Sequence, residues 1–525
     1  MFLLFPGRHH LLTNFQFNYI YKFINNTQQY SDPLKNRSIS AVIFAVTSAN
    51  HQNTRRNPVP FYVRVIQITQ FAHGLNRPCY IYPIDDAGSI DDFASYTIKT
   101  IAHESDMQHI LTAENTIVLC STPVMTMYEK LGFSIAHCEL LDREKQTYAA
   151  PLPWEIVEHI AGSPSGQPFD DYVLAAIHPS SYQVWEQYGL ADSIRNLFKD
   201  PIIGDDGDLT ATRDYNTYVR QMDEIADLKY TETAPFIIPG RIGDIGCAVG
   251  SWIKRASSEK RFHESEFYGI EVARQLYTVC EQRKDNGEFS NPFVFFSQKN
   301  AVTGLVFASN SMNTVHTSSL THEIYSYGSL EDLQRFITNR VKELKTGGVW
   351  INRDVLGPEN ADMTVYLYCT DTDGDNDAAV TEGLQGNALC ERLNALSTYA
   401  RFEAFARDFG KARNKNIKYK KETIEGRAYF KLSLRHACEY LYKKDYADNW
   451  QSEMHESFCF WSYSDWVGVL TAQGFSIMPG SRPFRNEWIV KNRLIDKTGL
   501  FILKDGKLVS MDFPDTHCLL VAKKQ

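Results

Sequence analysis

The chain has 525 residues, of which 43% are hydrophobic and 22% are charged, and it carries a formal net charge of -9. Because a single compact core stops growing well below this length, the sequence predicts several domains. The acidic balance excludes the uniformly basic surface that a dedicated duplex-binding protein needs. The hydrophobic content is too high for an intrinsically disordered chain.

Cysteines and apolar runs indicate the compartment. The ten cysteines form no C-x-x-C pair, so the sequence predicts neither a zinc ribbon nor a disulfide framework. No apolar run approaches the roughly 18 residues of a membrane-spanning helix, and the first residues, MFLLF, are too few for a signal peptide. We therefore expect a reduced, cytoplasmic protein without a membrane partner.

Two turn-rich stretches divide the chain, AGSPSGQPFDD at 161–171 and PIIGDDGD at 201–208. They predict one domain at 1–162, a linker region at 163–212 and a second domain at 213–525.

Within both predicted domains, short apolar runs alternate with helix-like stretches, which is typical of parallel α/β sheets. The runs begin at Ala41, Cys79 and Asn115 in the first domain, and at Glu266, Phe293, Asn313 and Gly347 in the second. An insertion at about 357–461 interrupts the second alternation, before AQGFSIMPG and a hairpin, GLFILKDGKLVSMDF. We predict an α/β protein with two Rossmann-like domains.

The stretch RIGDIGCAVG at 241–250 is a short strand that runs into a turn of small residues. Its spacing, Asp244-x-Gly246-x-Ala248-x-Gly250, differs from the G-x-G-x-x-G turn that binds a pyrophosphate. Small residues let the backbone approach a ligand that lacks phosphate, and the carboxylate suits an amino or cationic group. The next strand ends at Glu271, whose carboxylate can accept bonds from two ribose hydroxyls. Together these features predict S-adenosylmethionine as the cofactor.

The segment from Ile242 to Asp354 resembles a class I S-adenosylmethionine-dependent methyltransferase, through DIGCAVG, Glu271, SQKN and LKTGGVWINRDV. The resemblance implies a sheet with an antiparallel last strand, and it adds Asn300 and Ser318 to the cofactor site. Two positions depart from the family pattern: Ala248 replaces a glycine, and Asn300 replaces an acid, although its amide oxygen can still accept an adenine N–H. A cofactor-free Rossmann-like domain or an NAD site is the alternative.

Candidate catalytic groups follow the predicted fourth and fifth strands. Methyl transfer is an in-line displacement, so the protein positions the acceptor and removes a proton where one is present. His322 and Glu323 lie in SSLTHEIYSY, and Asp354 ends INRD. His455, in EMHE at 453–456, belongs to a second cluster that would face the first across the pocket. These groups act on the acceptor or cap a helix; their spacing matches no standard ligand set, so no metal is predicted.

The insertion contains an acidic and a basic stretch. DTDGDND with Glu382, spanning 371–382, approaches the calcium-loop pattern, but Asn376 replaces the required glycine, which favours a solvated acidic loop. The basic run KARNKNIKYKK at 411–421 suits a phosphate-bearing acceptor or RNA, or else forms a solvated helical face.

The N-terminal region resembles archaeal-type nicotinamide-nucleotide adenylyltransferases over about residues 1–160, through GRHHLLTNFQ, TSANHQNTRRNPVPFYVRVIQI, IVLCSTPVMTMYEKLGF and PWEIVEHI. The resemblance implies a parallel sheet and a nucleotide site at Gly7, Arg8, His10, Thr13 and Gln16. Thr13 and Gln16 replace the family's phosphate-binding histidines, and YAAPLP lacks its arginine. We therefore expect a degenerate domain.

Taken together, these features predict a methyltransferase whose N-terminal domain is a scaffold or recruiting module. The expected acceptor is a small polar molecule, and nucleotide- or phosphate-bearing molecules are among the candidates. A bifunctional nucleotidyltransferase/methyltransferase, an RNA methyltransferase and a non-catalytic cofactor sensor are the alternatives. The sequence gives no indication of the acceptor atom or of the oligomeric state.

Overall fold

The structure is a computed structural model, which describes residues 1–25, 38–86, 92–199, 215–411 and 417–525, with side chains from 222 onward in the segment that begins at 215. The chain divides into two compact units, which we call the first unit (Met1–Leu209) and the second unit (Thr210–Gln525).

The first unit is an α/β layer structure. Its strands are β1 (Phe2–Gly7), β2 (Ala41–Thr47), β3 (Cys79–Ile84), β4 (Thr116–Leu119), β5 (Ser134–Ala136), β6 (Leu140–Asp142) and β7 (Thr147–Tyr148). Its helices are α1 (Asn14–Asn25), α2 (Phe61–His73), α3 (Phe93–Glu104), α4 (Met125–Lys130), α5 (Pro153–Gly162), α6 (Asp171–Ala176), α7 (Pro179–Gln187) and α8 (Leu190–Lys199). A parallel sheet has the order β3-β2-β1-β4-β5. The order reverses between β1 and β4, and the residues after β1 lie at that reversal.

Residues 163–199 are not a linker, although the sequence predicted a linker region at 163–212. Val173, Val184 and Trp185 of α6 and α7 are buried in one core with Ile156 of α5. The apolar side chains of α6 and α7 cover α5, so the turn formers between 163 and 170 connect packed helices. The second turn-rich stretch, 201–208, lies outside the described residues.

The second unit contains a larger sheet of the order β10-β9-β8-β11-β12-β20-β16, and β17 also pairs with β20. Its strands are β8 (Arg241–Ile245), β9 (Glu266–Glu271), β10 (Val294–Gln298), β11 (Met312–Ser318), β12 (Leu344–Val355), β16 (Phe475–Ile477), β17 (Arg482–Phe484) and β20 (His517–Lys524). The strands β8 to β12 are parallel, and β20 is antiparallel to β12, as predicted. Gly348 allows β12 to approach β11 closely, because a Cβ there would lie 2.9 Å from the Met312 carbonyl oxygen.

The helices of the second unit connect these strands and build the insertion. They are α9 (Tyr215–Thr233), α10 (Ser251–Ser257), α11 (Arg274–Asp285), α12 (Thr321–Tyr327), α13 (Leu330–Glu343), α14 (Gly386–Ala395), α15 (Thr398–Asp408), α16 (Leu434–Lys443), α17 (Trp450–His455), α18 (Tyr463–Ala472) and α19 (Glu487–Ile489). Among the described residues, every helix is too short or too polar to cross a lipid bilayer.

The insertion has a sheet and a core of its own. The sheet is antiparallel with the order β14-β15-β13-β18-β19, formed by β13 (Thr364–Cys369), β14 (Lys420–Ile424), β15 (Arg427–Ser433), β18 (Thr498–Lys504) and β19 (Lys507–Met511). Phe402 of α15 stacks on Phe430 of β15 with ring centroids 4.0 Å apart. The sequence placed the hairpin β18–β19 at the close of the main sheet, but the hairpin pairs with β13 of the insertion instead, because their apolar faces share this core.

In the main sheet, strand order reverses between β8 and β11, with β9 and β10 on one side and β12 on the other. Ligands of doubly wound sheets bind in the crevice at the carboxyl ends of the strands at such a reversal. The turn after β8 and the segments after β11 and β12 lie at this edge.

Candidate active site

The turn after β8 adopts left-handed backbone conformations at alternate residues. The φ angles are 70° at Gly246, 50° at Ala248 and 73° at Gly250. Glycine adopts such angles freely, whereas alanine does so at a cost. The small-residue spacing therefore serves this backbone path, and Ala248 occupies a strained position.

The predicted ribose acid, Glu271, is buried at the end of β9 and is bonded to this turn. Its Oε2 accepts the backbone N–H of Ala248 at 2.9 Å, and its Oε1 accepts the N–H groups of Val272 and Ala273 at 2.8 and 2.9 Å. Burial raises the pKa of Glu271 to about 7, although the three N–H donors favour the ionised form.

Asp244 is buried and paired with a histidine of the neighbouring strand. Its Oδ1 lies 2.7 Å from Nδ1 of His316, whose ring stacks on Trp252 with centroids 4.1 Å apart. Nε2 of His316 is buried without a hydrogen-bond partner among the described residues, so the ring makes its contact with Asp244 through Nδ1. The pair fixes the Asp244 carboxylate at the base of the turn.

Two further cofactor candidates differ in what surrounds them. Ser318 ends β11, and its hydroxyl is buried without a hydrogen-bond partner in the part of the chain that the structure describes. A buried polar group of this kind fits a ligand that would supply the missing bond. Asn300 instead accepts the backbone N–H of Val302 at 2.9 Å, so its amide oxygen caps its own turn.

Lys229 of α9 lies at the same edge of the sheet, and sequence reasoning missed it. Its Nζ is 3.4 Å from the Ser319 hydroxyl, and the charges of Asp244, Asp354 and Glu323 act on it. Burial lowers the pKa of Lys229 to about 8, so its amine is mostly charged at neutral pH. A lysine within a helix has no motif that marks it.

The catalytic candidates His322 and Asp354 contact each other. Nδ1 of His322 is 2.6 Å from Oδ1 of Asp354, whose other oxygen accepts the N–H and the hydroxyl of Thr321, both at 2.6 Å. Burial alone would raise the pKa of Asp354, but the charge and hydrogen bond of His322 lower it to about 2. Burial also opposes the charged imidazole, yet Asp354 and Glu456 raise the pKa of His322 well above its usual value.

The segment after α17 reaches the same histidine. Oε2 of Glu456 lies 3.4 Å from Nε2 of His322, and its Oε1 accepts the Tyr327 hydroxyl at 3.1 Å. Ligand-type atoms of His322, Glu323 and Glu456 all lie within 4.8 Å of one another. The sequence named the EMHE cluster as the opposite side of this pocket and selected His455 from it, whereas Glu456 is the member beside His322.

The two other polar residues of that cluster lie nearby. The ring of His455 packs on Tyr327 with centroids 4.7 Å apart. Burial and the charge of Glu456 raise the pKa of Glu453 to about 8.

Charged side chains of the acidic loop and of the basic run in the insertion bond to neighbouring residues. In the acidic loop, Asp373 accepts the N–H of Thr398 at 2.8 Å, Asp377 accepts the N–H of Ala379 at 3.0 Å, and Glu382 lies 3.7 Å from Arg407. The carboxylates thus point to separate partners. In the basic run, Lys411 and Lys421 pair with Asp408 and Glu403, and residues 412–416 lie outside the described part of the chain.

Thr13 and Gln16 of the first unit form a helix cap. The Thr13 hydroxyl accepts the N–H of Gln16 at 3.1 Å, the Gln16 side chain accepts the N–H of Thr13 at 3.2 Å, and Gln16 donates to Glu139 at 2.9 Å. These bonds use the groups that would have to face a phosphate.

The remaining candidates, Gly7, Arg8 and His10, follow β1. Arg8 donates to the carbonyl oxygen of Arg56 at 3.2 Å, and a Cβ on Gly7 would lie 3.2 Å from the His9 ring. Burial lowers the pKa of His10 well below its usual value, so its ring is neutral at pH 7.

No protein-family model matches this sequence, and no curated protein matches it. Among solved structures, the chain is similar to an S-adenosylmethionine-dependent methyltransferase from Mesorhizobium loti, at 13% identity, over 58% of this chain and 100% of that one, with a TM-score of 0.31. It is also similar to geranyl diphosphate C-methyltransferase from Streptomyces coelicolor, at 7% identity, over 59% of this chain and 83% of that one, with a TM-score of 0.30. At these values the likeness assigns neither an activity nor a ligand to this chain.

Proposed function

We propose that the second unit is an S-adenosylmethionine-dependent methyltransferase, for which the first unit is a scaffold or recruiting module. The contact between Glu271 and the turn after β8 carries this proposal. It joins an acid at one strand end to a small-residue turn at the neighbouring strand end, in the crevice where strand order reverses. A nucleoside with a cationic amino-acid tail matches both features.

The cofactor site is assigned from the residues that line this edge. Glu271 accepts the ribose hydroxyls, and the backbone of residues 246–250 lies beneath the amino-acid part. Lys229 supplies a positive charge for the carboxylate of that part, because it is a partly buried cation beside Ser319. Ser318 offers a buried hydroxyl to the same ligand. When bound, the cofactor supplies an electrophilic methyl group on sulfur.

The acceptor lies on the side of His322 and Glu456, and it is a small polar molecule that carries a nucleotide or phosphate. The Asp354 bond holds Nδ1 of His322, so Nε2 is the ring atom that points toward Glu456 and the acceptor side. RNA is the alternative acceptor, since the basic run, in which Lys411 and Lys421 pair with Asp408 and Glu403, bears equally on both kinds of phosphate-bearing molecule.

A bifunctional enzyme is the weaker alternative. A nucleotidyltransferase needs cationic groups on the phosphates, and Thr13 and Gln16 instead bond to each other and to Glu139. The scaffold role of the first unit agrees better with these bonds.

The test is formation of S-adenosylhomocysteine by the full chain from labelled S-adenosylmethionine, with nucleotides, phosphorylated metabolites and RNA supplied separately. We expect product with a small phosphate-bearing acceptor and none with Glu271→Ala. Label in RNA alone would replace the acceptor class, and failure of the chain to bind the cofactor would overturn the proposal.

A further inference from the structure

The cluster of His322, Glu323 and Glu456 combines one imidazole and two carboxylates from two separate chain segments. His322 and Glu323 begin α12, and Glu456 follows α17 at the end of the insertion. Their ligand-type atoms all lie within 4.8 Å of one another, and His322 and Glu456 are buried. The cluster is therefore built from both segments and lies where the insertion meets the main sheet.

The orientation of His322 suits coordination through Nε2. Histidines that bind metals usually donate the other ring N–H to a carboxylate, which fixes the tautomer. Here Asp354 accepts from Nδ1 at 2.6 Å, and Nε2 faces Glu456.

The distance between Nε2 of His322 and Oε2 of Glu456 is compatible with an ion shared by the two atoms. A charge-assisted bond between an imidazolium and a carboxylate is about 2.7–2.9 Å long. The observed distance is 3.4 Å. Two ligand atoms that each lie about 2.0–2.1 Å from one metal at a tetrahedral angle are about 3.4 Å apart.

A second observation beside the cluster also indicates a missing cation. Oε2 of Glu453 is buried and has no hydrogen-bond partner among the described residues. Lys443, whose charge acts on Glu453, is committed to Glu439 at 2.7 Å and to the backbone oxygen of Glu456. A buried carboxyl oxygen without a partner is costly, and a divalent ion beside it would favour the ionised form of Glu453.

We propose that His322, Glu323 and Glu456 bind one divalent first-row transition-metal ion. One nitrogen and two carboxylate ligands suit ions such as Mn²⁺ or Zn²⁺ better than Ca²⁺, which prefers oxygen ligands alone. The three side chains leave coordination positions open. That these positions take an oxygen of the methyl acceptor rests on the proposed function; metal binding itself does not.

The test is Mn²⁺ binding to the chelator-treated full chain. Binding is measured by calorimetry and by the loss of the paramagnetic resonance signal of the free ion. Mn²⁺ is the probe because thiolates, which ten cysteines offer, bind it poorly. We expect one equivalent to bind. Glu456→Gln and Glu323→Gln should each weaken binding at least roughly tenfold, while the matched controls Glu359→Gln and His436→Gln should bind as the unsubstituted chain does.

Glu323 is only partly buried, so Glu323→Gln is the variant that tests the site if Glu456→Gln fails to fold. Binding of S-adenosylhomocysteine to the same samples separates this proposal from the proposed function. Absence of stoichiometric Mn²⁺ from a chain that binds S-adenosylhomocysteine would overturn the metal site alone. Unchanged Mn²⁺ affinity in folded Glu323→Gln would also overturn it.

Discussion

Glu271 accepts the backbone N–H of Ala248 at 2.9 Å, so the acid at the end of β9 is part of the same structure as the turn after β8. In Glu271→Gln an amide NH₂ would face one of the N–H donors that the carboxylate now accepts. We expect roughly a ten- to hundredfold loss of S-adenosylmethionine affinity, measured by calorimetry. Glu266→Gln, at the opposite end of β9, is the matched control and should bind normally; an equal loss in both variants would contradict the assignment.

The affinity for S-adenosylmethionine should depend on pH through Glu271. Because burial raises the pKa of this carboxyl to about 7, it is mostly protonated in the free protein at pH 6 and mostly ionised at pH 8. The ionised form accepts the ribose hydroxyls, so binding at pH 6 must first remove a proton. We expect roughly fivefold weaker binding at pH 6 than at pH 8, since partial loss of the Lys229 charge at pH 8 offsets part of the effect, with proton release on binding at pH 6. A similar slope in Glu271→Gln would assign the effect to another group.

Ala248→Gly should stabilise the protein, which is unusual for a buried alanine. A φ angle of 50° strains alanine and not glycine. Glycine also increases the conformational entropy of the unfolded chain, which offsets part of the relieved strain. We therefore expect a net gain of about 0.5–1 kcal/mol in the free energy of unfolding, measured by urea denaturation. Ala256→Gly within α10 is the control and should lose about 1 kcal/mol. Destabilisation by both substitutions would show that the turn is not strained.

Lys229→Met should lower the affinity for S-adenosylmethionine by roughly tenfold or more, because it removes the proposed partner of the amino-acid carboxylate. Methylthioadenosine lacks the amino-acid part, so its affinity should not change. Lys284→Met, which removes an ammonium that lies over the Phe295 ring, is the control. Equal weakening of both ligands by Lys229→Met would indicate a general effect on α9 and not a contact with the carboxylate.

The main sheet could be predicted from the sequence because each strand is a short apolar run between turn formers. The run that begins at Glu266 is β9, and the run at Asn313 lies in β11. The insertion sheet could not be predicted in the same way. Its strands β13 and β18 pair across more than a hundred residues, and pairing at that distance depends on a shared core, which local patterns do not report.

The candidate site was predictable only in part. Asp244 and Glu271 follow from strand ends, and both lie at the crevice. The carboxylate that faces Nε2 of His322 could not be predicted. His455 and Glu456 are adjacent in the sequence, and only the end of α17 decides which of them faces α12. Lys229 had no motif at all.

The most direct test of the cofactor assignment is calorimetric titration of the purified chain with S-adenosylmethionine, S-adenosylhomocysteine, ATP and NAD in parallel. We expect saturable binding of the first two at one site, with ATP and NAD silent. Binding of NAD or ATP without either sulfur-containing ligand would contradict it, and would leave the turn after β8 with a different ligand.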